Sequence, residues 1–316
     1  MTNCGSGGSG TESCCTSTEV TGGTYYRTYS NSGSGPTSEA DPASISGFRL
    51  DKYLVTVGRF RQFVAAWSDG YYPASGSGVH TYLNDGLGLV NSGARSGDAG
   101  DGGGEYESGW STSWNSYLAP TDTNLTSCSP YATWTGSAGS QESLPIDCVN
   151  WYESYAFCIW DGGFLPSEAE WEYAAAGGSQ QREYPWGSTP PPAACPATGC
   201  SYAIWNCDYP SGATGCSEVA SLAPVGTTTL GAGLWGQFDL AGEVWEWALD
   251  WSAAYVSPCA DCADLTASSA RAVRGGSFAS PTAYLSNLFP PSRGSYGPVG
   301  RGDSGNGNGF RCSRAP

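Results

Sequence analysis

Phe60, Phe63, Val64 and Trp67 recur at spacings of three and four, which lays one apolar stripe along a helix, and Thr56 just before them offers a side-chain acceptor for its first turn. Upstream the period changes. VTGGTYYRTY, beginning at Val20, alternates as a strand does, and FRLDKYLVTV at 48–57 reads as a second strand. Two more helices declare themselves by their starts, where an acceptor is followed three residues later by Glu, so that each satisfies the other's amide. Asn150 with Glu153 opens the first, whose inner face is Tyr155, Ala156 and Ile159. Ser167 with Glu170 opens the second, SEAEWEYAAAGG, with Trp171, Ala174 and Ala175 turned inward and Gly177 as the C-terminal stop.

The remaining chain has no sustained period. Residues 1–18 are Gly, Ser, Thr and Cys, the composition of a tail. Residues from about 68 to 143, including GARSGDAGDGGGEYESG, read as a long loop insertion rather than core. From Gly178 onward Gly, Pro, Asn and Cys punctuate short aromatic segments, which suits loops and short strands. There is no tandem repeat, and the expectation is one α+β domain over 19–316 with little regular structure.

Composition narrows the setting. A chain of 316 residues with 13 Trp, 19 Tyr and 9 Phe holds a sizeable aromatic core. Its formal charge of -16 and single lysine, Lys52, leave no basic face for phosphates, so nucleic acid is excluded as a partner. An acidic surface suits an exported protein or one that takes up Ca²⁺. Thirteen cysteines point to an oxidising, extracellular or cell-surface location. No stretch approaches the roughly 20 apolar residues of a membrane span. The N-terminus lacks the apolar run of a signal peptide, so an export signal is expected to have been removed, or the chain truncated. The odd count leaves one thiol over, and Cys4 in the tail is the candidate for an intermolecular bridge or anchor. Cys259 and Cys262 in CADC read as a local bridge, since a zinc site needs further ligands; Cys195, Cys200, Cys207 and Cys216 make two more with pairing open.

Six blocks, DKYLVTVGRFRQFV, LPIDCVNWYESYAFCIWDGGFLPSEAEWEYAAAGG, YPWG, APVGTTTLGAGLWGQFDLAGEVWEWALDW, RAVRGGSF and GFRC, stand in an order that resembles formylglycine-generating enzymes and the wider sulfatase-modifying-factor family. The resemblance covers roughly residues 20–316 and implies a C-type-lectin-like fold with two main helices against twisted antiparallel strands and long loops. It also implies a disulfide between Cys158 and Cys312, against the alternative of two separate buried thiols.

What the resemblance implies for chemistry does not match the residues. The family's oxidases hold Cu(I) with two cysteines after the RGGS turn, and here those positions read Ser280 and Leu285, neither a ligand for a soft cation. Copper is therefore not expected. Ser277, Tyr284 and Trp247 match framework positions around that site. The iron-dependent sulfoxide synthases of the family need several histidines; this chain has only His80, expected as a solvated loop residue. A lone histidine without a nucleophile elbow also argues against Ser/His/Asp hydrolysis. Glu168, Glu170 and Glu172 are read as serving the helix dipole and solvation. The resemblance implies a Ca²⁺ loop of Ala241, Gly242, Val244 and Glu246, with Glu246 as a buried partner of an arginine such as Arg274 the alternative; Asn206 and Asp208 fall at altered spacing for a second site. GRGDSG at 300–305 is too short a match in a Gly/Ser-rich region to specify adhesion.

Around and beyond the turn, Trp247, Ser277, Phe278, Thr282, Tyr284, Asn287, Phe289, Arg293, Tyr296, Arg301 and Asn306 mix rigid aromatics with small polar residues, the composition of a binding surface, with surface loop and core as the plain alternative. In related lectin-like domains the stretch between RGGS and GFR is a variable ligand-binding segment. The expected function is a secreted or surface-attached, non-copper member that binds a protein or glycan through residues 278–309. The alternatives are an oxidoreductase with a different metal arrangement and a structural subunit of an extracellular assembly, anchored or self-assembled through the N-terminal tail.

Overall fold

The computed structural model describes residues 4, 10–92, 106–196, 199–213, 215–255, 257, 259–303 and 306–316. Four strands come first: β1 Ser17–Val20, β2 Gly23–Asn31, β3 Pro36–Ile45 and β4 Phe48–Asp51. Helix α1, Val57–Ser68, follows, then a long stretch whose described residues hold β5 Val90–Asn91, the single turn α2 Asp122–Leu125 and short 3-10 turns. Helices α3 Trp151–Trp160 and α4 Glu168–Ala176 precede the C-terminal strands β6 Trp245–Trp251, β7 Cys259–Ala260, β8 Cys262–Ala263 and β9 Arg271–Arg274. Strands β10 Gly294–Tyr296, β11 Gly302–Asp303, β12 Asn306–Gly309 and β13 Ser313–Arg314 complete the chain.

The helix starts form as their residues dictate. Thr56 accepts from the Arg59 amide, Asn150 and Glu153 close one capping box, Ser167 and Glu170 close another, and Gly177 ends α4 at φ 66. The strand read at 48–57 stops at Asp51, because the chain turns there into α1. Strand β3 has no apolar alternation of its own; it forms because β2 pairs with one of its edges and β7 with the other.

The two ends of the chain meet in one sheet, β1-β4-β13, beside the five-stranded sheet β10-β9-β6-β12-β11. Phe60 of α1 stacks on Phe157 of α3 and both meet Phe310 edge to face, with centroids 5.3–6.2 Å apart, and this aromatic centre holds both helices against the larger sheet. The 68–143 stretch is not a separate excursion where it is described. Leu83, Leu89, Trp110, Leu118, Leu125 and Trp134 are buried in the same core as Phe60 and Trp151. Single aromatic anchors at irregular intervals leave no period to read. Residues 93–105, which hold much of the Gly-rich run, lie outside the described residues.

The N-terminal stretch differs from a free tail in a similar way. Cys4 is joined to Cys14, Glu12 pairs with Lys52 at 2.7 Å, and β1 begins at Ser17. The leftover thiol is thus the exposed Cys15 and not Cys4, a correction that follows from two cysteines within reach of one another in a short loop. Cys158 is joined to Cys312, Cys259 to Cys262, Cys195 to Cys200, Cys207 to Cys216 and Cys128 to Cys148. The Cys158–Cys312 bridge spans 154 residues and staples α3 to the chain end between β12 and β13. Replacing both by Ala is expected to lower stability by up to about 5 kcal/mol, read as a fall in the urea midpoint; an unchanged midpoint would mean that packing alone holds the closure.

Candidate functional site

Strand β9 ends at Arg274, and the chain then reverses through Gly275 (φ 95) and Gly276 (φ 74), a left-handed pair that suits glycine alone. A side chain at Gly276 would meet the Asn287 carbonyl at 3.0 Å. The turn is closed by a reciprocal pair: Ser277 N–H donates to Ser280 Oγ at 3.0 Å, and Ser280 N–H donates to the Ser277 carbonyl at 3.0 Å. The loop at 206–207 clamps it from outside. The amides of Asn206 and Cys207 donate to the carbonyls of Ser280 and Phe278 at 3.0 and 2.7 Å, and Asn206 Oδ1 accepts the Thr282 amide at 3.1 Å.

Ser280 is buried with its hydroxyl already accepting a bond, and Leu285 packs among Tyr184, Ala203, Trp205, Ala241 and Leu288. An engaged alcohol and an isobutyl group in an apolar cluster offer a soft cation nothing to bind, so the residues present do not fit Cu(I). The chain's one free thiol, Cys15, is exposed in the N-terminal segment next to Cys14. Among the described residues no three His, Cys, Asp or Glu side chains converge as a metal site.

The other residues of the expected binding surface fall into layers. Trp247, Ser277 and Phe278 are buried; Trp247 donates from Nε1 to the Val149 carbonyl at 3.0 Å, and Phe278 packs on Tyr131. Thr282 and Tyr284 face solvent, Tyr284 with 60% of its surface open, on a short 3-10 segment spanning Thr282–Leu288. Asn287, Phe289 and Tyr296 are half-buried. Arg293 and Arg301 are engaged internally, Arg293 with Glu168 at 2.6 and 2.7 Å and Arg301 with both oxygens of Glu153. Asn306 begins β12, while its side chain and residues 304–305 of the GRGDSG stretch lie outside the described residues.

The acids of α4 require a correction. They are buried, not solvated, because the helix lies inside the molecule. Glu168 and Glu172, one turn apart, share Arg274 at 2.8 Å each, and Glu172 also accepts from Tyr255. Burial pushes Glu172 up to about 8 despite the pull of Arg274. On the opposite face Glu170 accepts from Tyr82 at 2.9 Å and lies 3.3 Å from His80 Nε2. His80 is likewise no solvated loop residue. It is fully buried, stacked on Phe164, with Nδ1 3.0 Å from Glu107. A sequence signal existed: Glu at 168, 170 and 172 alternates around a helix whose remaining positions are Trp, Tyr and Ala, so no polar face is left for water.

The loop of Ala241, Gly242, Val244 and Glu246 lies against the RGGS turn, with the Gly242 amide donating to the Gly275 carbonyl at 2.8 Å. Glu246 is paired, but with Arg311 rather than Arg274: its two oxygens accept from that guanidinium at 2.7 and 2.8 Å. The one carboxylate of that set is thereby engaged, so none of the four offers Ca²⁺ a free side-chain oxygen. Asn206 and Asp208 bond to each other at 3.1 Å and hold the turn.

These packed strands, capped helices and long anchored loops define a C-type-lectin-like α+β fold. The chain matches the sulfatase-modifying factor enzyme 1-like domain over residues 8–316 and belongs to that family. It is similar to the formylglycine-generating enzyme of Streptomyces coelicolor, 38% identical over 54% of this chain and 52% of that protein. It is also similar to that of Thermomonospora curvata, 30% identical over 66% and 73%. A mouse protein named inactive C-alpha-formylglycine-generating enzyme 2 is 34% identical over 37% of this chain and 38% of its own length. Among solved structures, Treponema denticola variable protein 1 shares the fold with a TM-score of 0.51 at 18% identity, covering 95% of both chains. The chain spans about half the length of the Streptomyces relative.

Burial opposes the charge on His80, but Glu107 and Glu170 more than offset it and hold the imidazolium up to about 10. Its folded value lies above the unfolded one of 6.5, so its contribution is complete below pH 6.5 and is lost as pH rises through about 10. His80→Gln is expected to cost about 3 kcal/mol at pH 6 and progressively less towards pH 10. Urea melts of both proteins across that range check it, and a pH-independent difference contradicts it.

Proposed function

We propose that this chain is a non-copper member of the formylglycine-generating enzyme family, working in an oxidising extracytoplasmic compartment, which binds a protein or glycan through the loop surface around Thr282 and Tyr284. One observation carries the reading: the two positions that would hold the metal are a hydrogen-bonded buried serine and a packed leucine. The family already includes a protein named inactive, which supports a fold that outlives its chemistry. Six disulfides support the compartment, and among the described residues no helix is long and apolar enough to cross a membrane. Tyr284 supports the surface: a tyrosine open over 60% of its area supplies contact at low entropic cost, on a turn held rigid beneath by Ser277, Ser280 and Asn206. The fold of a relative called a variable protein is compatible with such a use.

Two measurements test the reading. Restoring sulfur by Ser280→Cys with Leu285→Cys is expected to confer stoichiometric Cu(I) binding that the parent chain lacks; oxidation of a sulfatase-type cysteine peptide by the parent chain itself overturns the proposal. For the surface, binding to a panel of immobilised glycans and extracellular proteins is expected to fall about tenfold in Tyr284→Ala, the size of a hot-spot truncation. Binding that survives that change moves the site elsewhere.

A further inference from the structure

A cavity of about 650 Å³ lies away from the RGGS turn. It opens beside the end of β6 and the start of β9, with Trp114, Trp151, Tyr155, Trp251 and Leu265 among its walls. Arg271 is one of its lining residues and is only 4% exposed. Its guanidinium is sandwiched between the rings of Trp151 and Trp251, 3.6 and 3.7 Å from their centroids. Both flat faces are therefore covered, and only the N–H edge is left to meet a partner.

That edge is underused. Nη1 donates to the Leu249 carbonyl at 2.6 Å, and Nε is buried with no partner among the described residues. Three other deeply buried arginines sit against a carboxylate: Arg59 on Asp51, Arg274 on Glu168, Arg311 on Glu246. Among the described residues Arg271 has none. The nearby acids are committed elsewhere, Asp250 to the amides of Glu168 and Asp264 at 2.7 Å and Asp264 to the Thr266 amide at 3.2 Å. Burial accordingly pushes the Arg271 guanidinium down to about 9.

We infer that this cavity is a binding site for a small molecule bearing one carboxylate on a flat apolar ring body, the carboxylate meeting the Arg271 edge and the body lying among Trp114, Tyr155 and Leu265. A cavity of this volume, walled in part by aromatic rings and holding one cationic anchor, has the build of a small-molecule site. A carboxylate is the planar acceptor that matches a guanidinium edge. Glu107, on another wall, is already engaged by the His80 ring and by the His80 and Leu89 amides and offers a second carboxylate no donor, which restricts the ligand to one. The site is independent of the surface around Tyr284.

Calorimetric titration of the full chain with 2-naphthoate and with its neutral isostere 2-naphthamide tests this. The carboxylate is expected to bind at least about tenfold more tightly, the difference made by one charge-assisted pair. In Arg271→Gln that preference is expected to collapse to within about twofold. Leu265→Trp, which fills the cavity and leaves the guanidinium sandwich in place, is expected to abolish binding of both probes without lowering the thermal midpoint. Should Arg271→Gln fail to fold, the probe preference of the unaltered chain together with Leu265→Trp decides. No detectable binding of 2-naphthoate, equal affinity for acid and amide, or undiminished binding in Leu265→Trp each overturns the inference.

Discussion

Arg274 and Glu168 meet at 2.8 Å with neither open to water, and the rest of the C-terminal half is arranged around that contact. Buried charges are tolerated when the groups around them are hydrogen-bonded, and here Glu172, Arg293, Tyr255 and the carbonyls of Pro290 and Ser292 supply those bonds, with Glu172 Oε1 left without a partner among the described residues. The consequence is geometric. Arg274 is the last residue of β9, so the ion pair fixes where the chain enters the Gly275–Gly276 reversal, and α4 cannot shift without moving the turn. Removal of one partner leaves an uncompensated charge inside the protein, which is why this frame survives changes at Ser280 and Leu285 that leave the charges alone.

A site framed in this way separates scaffold from chemistry. The turn is held by backbone bonds, by glycines in left-handed conformations and by charges behind it, none of which needs a thiolate or a metal. Serine at position 280 even contributes to the turn, since its hydroxyl accepts the Ser277 amide. What the arrangement then presents outward is Thr282 and Tyr284 on a short segment whose far side, Leu285 and Leu288, is packed inward.

Much of the fold was legible because its signals are local. Capping pairs at 150–153 and 167–170, the stripe from Phe60 to Trp67 and the terminal glycine of α4 depend on neighbours within a few residues, and each forms as read. Partnerships across the chain were not. His80 looks like a loop histidine until Glu107 and Glu170 close on it from 27 and 90 positions away. Glu246 offers no hint that its arginine is Arg311 rather than Arg274, although Arg274 lies opposite it in the strand register. Nothing in a Gly/Ser run says that Cys4 doubles back to Cys14 and leaves Cys15 as the odd thiol. For the site the same division holds. The loss at 280 and 285 is written in residue type, whereas the inward commitment of Arg293 and Arg301, and the cavity beside Arg271, exist only once distant segments are brought together.

The account stands most directly on the coordination of copper offered to the unaltered chain. X-ray absorption at the copper edge, recorded anaerobically on protein mixed with one equivalent of Cu(I) and a competing chelator, reads the donor atoms themselves. The metal is predicted to remain on the chelator with no protein sulfur in its shell, because every cysteine but the exposed Cys15 is in a disulfide. A two-coordinate copper–sulfur signal persisting after Cys15→Ser would contradict it.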